Sequence, residues 1–112
     1  MKKGRRDQHC PPFVRLGKEL LFNRREWWDL SPRAHNLYLL LKGKFNGQNN
    51  GKLKLYYSEV QKLEIRGLKS PESISRGFAE LERKGWIARA KIGGLHRFVN
   101  EYGLTGRFDC FT

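Results

Sequence analysis

Residues 70 to 85 read Ser-Pro-Glu-Ser-Ile-Ser-Arg-Gly-Phe-Ala-Glu-Leu-Glu-Arg-Lys-Gly, a segment with both a helix start and a helix stop. Ser70 is an N-cap whose hydroxyl accepts from the free backbone N–H groups two or three residues on. Pro71 suits the first helical position, where the N–H it lacks has no partner, and Glu72 sets negative charge at the positive end of the helix dipole. Arg83 and Lys84 fall in the last turn, and Gly85 takes the left-handed conformation that closes a helix. Ile74, Phe78 and Leu81 recur at i, i+4, i+7 as one apolar stripe. Glu72, Arg76, Ala79 and Arg83 fall on the opposite face, with Ser73 and Glu80 beside them. Trp86 to Ile92 then alternates like a strand, Gly93-Gly94 offers a turn, and Leu95 to Thr105 runs back as a second strand.

Upstream, Ser31-Pro32 repeats the cap-then-proline start. It opens a helix whose stripe of Ala34, Leu37, Tyr38, Leu41 and Phe45 is widened by Leu39 and Leu40, which makes it central to the domain. Before it, Phe13 to Leu16 reads as a short edge strand. Lys18 to Leu30 reads as a helix with Leu20, Leu21, Trp27 and Leu30 in the core. Trp28 points elsewhere, to cover an interface or pack under the N-terminal arm, a packed place being the favoured reading for both tryptophans. Gly47 to Gly51 holds five turn-formers but no phosphate-loop spacing, so it is a connector. Lys52 to Tyr56 alternates as a strand with one buried face. Ser58 to Gln61 reads as a capping box for a short helix to Glu64, with Val60 and Leu63 facing inward. Residues 65 to 69 turn into the helix that follows.

The 112 residues suffice for one domain. It has 23 Lys and Arg against 11 acids, a net +12, with a pI near 10.2. That charge favours a polyanionic partner, a solvated basic surface being the plain alternative. Residues 66 to 97 carry eight basic and three acidic residues, and residues 1 to 25 carry eight against two. Residues 1 to 12 are expected as a basic flexible arm and 106 to 112 as a loose tail, although Phe108 and Phe111 offer docking groups. Cys10 and Cys110 form no CxxC pair and no secreted framework. With no signal peptide and no apolar run of about 18 residues, the expectation is a cytoplasmic protein with no membrane partner. His9, His35 and His96 share no metal spacing, and the acids are too scattered for a two-carboxylate site. No enzyme, metal, cofactor or small-molecule substrate is expected.

The stretch SPESISRGFAELERKGWI resembles the recognition helix and first wing strand of winged helix-turn-helix DNA-binding domains. Its Leu81-Glu82-Arg83-Lys84-Gly85-Trp86-Ile87 portion matches their Leu-Glu-x-x-Gly-x-Ile close residue for residue. The order FVRLGKELL, WWDLSPRAHNLYLLL, NGQNNGKLKL and YGLT is similar to a bacterial and phage group. That group includes the N-terminal DNA-binding part of phage and plasmid replication proteins, and prophage regulators. The turn from Ile65 to Ser70 departs from the family, whose usual Leu-Gly-apolar-Ser pattern is shorter. The resemblance implies an α+β fold over residues 13 to 105, a three-helix core with a small antiparallel sheet and wing. It further implies sequence-specific binding of double-stranded DNA in a replication or transcription-regulating role.

On that template the recognition helix lies in the major groove by its N-terminal half. Arg76 is the base reader, its fork matching guanine O6 and N7, with Ser73 beside it. Lys69 meets phosphate, and Arg89, Lys91, His96 and Arg97 gather on the wing. Pairing of Arg76 with Glu72 or Glu80 is the rival arrangement. A homodimer remains open, and a protein–protein module built on the same fold is the alternative function.

Overall fold

The computed structural model of the chain describes residues 13 to 91 and 100 to 109, residues 90 and 91 by backbone alone. The arm of residues 1 to 12, the Gly93-Gly94 turn, the strand start at Leu95, and Phe111 lie outside the described residues. Among those described, the order is α1 (Lys18–Asn23), α2 (Arg25–Trp28), α3 (Pro32–Lys44), β1 (Leu53–Lys54), α4 (Tyr57–Lys62), α5 (Pro71–Arg83), β2 (Ile87–Lys91) and β3 (Glu101–Leu104). The class is α+β. The antiparallel sheet has the order β1-β3-β2, with Leu53 opposite Tyr102 and Ile87 opposite Leu104.

The core lies between α3, α5 and the sheet. Ala34, Leu37, Tyr38 and Leu41 of α3 are buried, as are Ile74, Phe78 and Leu81 of α5. Phe78 stacks on Tyr102 of the sheet at 4.7 Å between ring centres. Trp86 packs edge-on against Trp27 at 5.7 Å and Tyr38 at 5.3 Å. The close crossing of α3 and α5 requires Gly77. A Cβ there would collide with Leu37 Cδ1 and meet Arg33 Cγ at 3.0 Å.

Four local expectations are corrected. Residues 13 to 16 form no strand, and Phe13 and Val14 are exposed. The helix expected over 18 to 30 breaks at Arg24, whose φ of −117° and ψ of 107° are extended. Helices of six and four residues do not persist alone, so α1 and α2 depend on burying Leu20 and Trp27. Trp28 is 57% exposed rather than packed inside, its indole N–H donating to the Leu21 carbonyl at 2.8 Å.

Finally, α4 begins at Tyr57, two residues early, because Glu59 rather than Gln61 reaches back to the chain. Its carboxylate accepts the Tyr56 N–H at 3.0 Å, a charge-assisted bond that the neutral Gln61 cannot match. Leu63 then falls past the helix end and is 56% exposed, Glu64 turns the chain with φ of 55°, and fully buried Leu68 takes the core position instead.

Within the segment expected as a tail, Phe108 and Asp109 pack into the domain, while Gly106 and Arg107 are exposed. Phe108 lies 4.7 Å from the Trp86 ring. Asp109 is buried beneath α3, its Oδ2 accepting from Tyr38 Oη and Lys42 Nζ, each at 2.8 Å. Its Oδ1 accepts the Gly17 N–H at 2.9 Å. Burial first, and the neighbouring carboxylate second, raise the Tyr38 hydroxyl well above the usual tyrosine range.

Candidate nucleic-acid interface

The helix α5 is fixed at both ends by the residues that foretell it. Ser70 Oγ accepts the Ser73 N–H at 3.1 Å. At the far end the Trp86 N–H donates to the Leu81 carbonyl at 2.9 Å and the Gly85 N–H to Glu82 at 3.1 Å, with Gly85 at φ of 85°. This is the paired closure of a left-handed cap, with the buried Leu81 and Trp86 as its apolar contact. The chain passes directly into β2.

The longer turn before α5 is held on both sides. Arg33 Nε donates to the Gly67 carbonyl at 3.3 Å, and Gln61 Nε2 to the Lys69 carbonyl at 3.0 Å. Arg66 and Lys69 are thereby left exposed at the mouth of the helix, and neither makes a side-chain pair among the described residues.

The outward face of α5 carries Glu72, Ser75, Arg76, Ala79 and Arg83, all exposed. Arg76 forms no ion pair among the described residues, so neither rival partner holds it. Glu80 is taken elsewhere: its carboxylate accepts the Ser31 N–H at 2.8 Å and the Ser31 hydroxyl at 2.7 Å, and faces Lys84 Nζ at 3.4 Å. Burial works to raise the Glu80 pKa, but the Ser31 and Lys84 contacts outweigh it and hold the carboxyl below its ordinary range. One carboxylate thus caps α3, which has no acid in its own first turn, and fixes α5 against it.

Of the expected site residues, Lys69 and Arg76 stand free on one side of the domain. Ser73 is half-buried, and its Oγ accepts from Ser70 Oγ at 2.9 Å. Ser75 has the exposed hydroxyl instead, and lines a shallow hollow with Tyr57, Pro71, Glu72 and Arg76. A helical projection does not separate the two, since Ser73 and Ser75 lie one residue to either side of Ile74 at similar angles from the apolar stripe. Arg89 is exposed but engaged, donating from Nη2 to Glu82 Oε1 at 2.7 Å, and this bond raises its pKa. Lys91 lies in β2 opposite Glu101, just past an irregularity in the ladder. His96 and Arg97 lie outside the described residues.

Among the described residues no three His, Cys, Asp or Glu side chains group to hold a metal, and no helix is long and apolar enough to cross a membrane. No protein-family model matches the chain, and neither curated proteins nor solved structures give a significant match.

Proposed function

We propose that the chain is a winged helix-turn-helix domain that binds double-stranded DNA, in a replication-initiating or transcription-regulating role. In this reading α4 and α5 are the two helices of the motif, and β2 and β3 carry the wing. The helix α5 enters the major groove by its first two turns. Arg76 reads a guanine edge, Lys69 and Arg66 hold phosphate, and the wing follows the backbone. No reaction and no cofactor belong to this reading.

The observation that supports it best is the sorting of charge around α5. Arg76 and Lys69 are exposed without partners, while Glu80 and Glu82, which would oppose phosphate, are turned onto Ser31, Lys84 and Arg89. The remaining acid on the outer face is Glu72.

The test is a salt titration of binding to random-sequence duplex. Six phosphate contacts cost about 10³-fold in affinity between 50 and 200 mM salt, and a slope of that order is expected. Exposed Phe22 and Trp28, together with an apolar groove lined by Val14, Leu39, Leu40 and Leu63, support the alternative of a protein-binding module. That alternative gives almost no duplex binding at any salt concentration.

A further inference from the structure

The sorting of charge leaves one outward carboxylate, Glu72, favourably placed at the N-terminus of α5 but with its oxygens tied to no side chain among the described residues. Glu72 is exposed in the second helical position of α5 and lines the same hollow as Ser75 and Arg76, four residues before the arginine. At that spacing a Glu–Arg bond is available, yet the two form no ion pair. An exposed i, i+4 pair would shift an equilibrium by only about twofold, so it does not compete with contacts to a base. Against phosphate, Glu72 is a liability. Against a base edge it is not, because the cytosine N4 amino group is a donor presented in the major groove and a carboxylate is its natural acceptor.

We infer that Glu72 is a specificity-determining residue that selects cytosine, and that with Arg76 it makes α5 a reader of G·C-containing duplex. The inference rests on the DNA-binding reading above. Four residues of helix rise about 6 Å, and base pairs along one strand are about 3.4 Å apart. The guanine read by Arg76 and the cytosine read by Glu72 therefore lie within about two base pairs of each other. Ser75, between them on the flank toward Tyr57, has a hydroxyl suited to either base.

The experiment is binding-site selection from random duplexes with the wild-type chain, Glu72→Gln and Glu72→Ala, each checked for retained cooperative melting. The wild type is expected to enrich a guanine and a cytosine at this spacing, with about 5- to 150-fold discrimination at each. Glu72→Gln is expected to move the cytosine preference to adenine, whose N6 and N7 match an amide, and Glu72→Ala to lose it while keeping the guanine. If both variants keep the wild-type consensus and merely bind every sequence more tightly, Glu72 only repels phosphate and the inference fails alone. If the wild type binds no duplex even at low salt, the DNA-binding reading fails with it.

Discussion

Replacing Asp109 with alanine probes the part of the fold that lies furthest from its sequence neighbours. The side chains of Lys42 and Asp109 are 2% and 1% exposed, and the ion pair between them spans 2.8 Å. Removing the carboxylate leaves an ammonium group in the interior with no counter-charge, which costs about 3–5 kcal/mol. It also strips an acceptor from the Tyr38 hydroxyl and from the Gly17 N–H. A domain of this size has about 5–15 kcal/mol of stability in all, so the variant loses roughly a fifth or more of it. At about 4 °C per kcal/mol, melting should fall by roughly 12–20 °C, read by circular dichroism with urea unfolding in parallel. Lys42→Met with Asp109→Ala removes both charges, and the double variant should cost at least about 2 kcal/mol less than the sum of the single ones. Costs that simply add, or an Asp109→Ala loss under about 1 kcal/mol as for an exposed pair, would refute a buried pair.

Three further outcomes are expected. Gly77→Ala gains up to about 1 kcal/mol in helix propensity but overpacks the crossing with α3 at about 1–3 kcal/mol, so chemical denaturation should show a net loss. The Glu80 carboxyl is held below its ordinary range when folded, so its contribution is present above pH 4.5 and drains away as pH falls through the folded value. Glu80→Gln should cost about 1–3 kcal/mol at neutral pH and flatten the acid limb of the stability profile. On duplex, Arg76→Ala should cost about 1–3 kcal/mol on a preferred site and relax its selectivity, and Lys69→Ala should weaken all sequences alike with a salt slope lower by about one. Gel-shift titration over several salt concentrations checks both, and unchanged binding by the two variants would contradict the docking.

What was legible in the sequence was local. Ser70-Pro71 and Gly85 bracket α5 because capping depends on neighbours three or four residues away, and the Ile74, Phe78, Leu81 stripe is a property of one helix. The start of α4 differs from expectation because Ser58, with Gln61, and Tyr56, with Glu59, offer competing caps two residues apart, and only geometry chooses between them. The clamp from Glu80 to Ser31 spans 49 residues and the bond from Lys42 to Asp109 spans 67, distances over which periodicity gives faces but not partners. For the candidate site, the exposure of Arg76 and Lys69 followed from the helical face and the turn. The engagement of Arg89 by Glu82, and the choice of Ser75 over Ser73, depended on which flank meets the sheet and which meets α3.

The junction between α5 and β2 consists of Lys84, Gly85 and Trp86, closed by the Leu81 carbonyl on one side and braced by Thr105, whose hydroxyl donates to the Gly85 carbonyl at 2.8 Å. With Glu82 also tied to Arg89, helix and strand are bridged on both sides of the junction and are expected to move together. A duplex gripping both would have to supply the bending itself. Steps that kink cheaply would then be favoured at base pairs no side chain reaches, a preference written in DNA mechanics rather than in contacts.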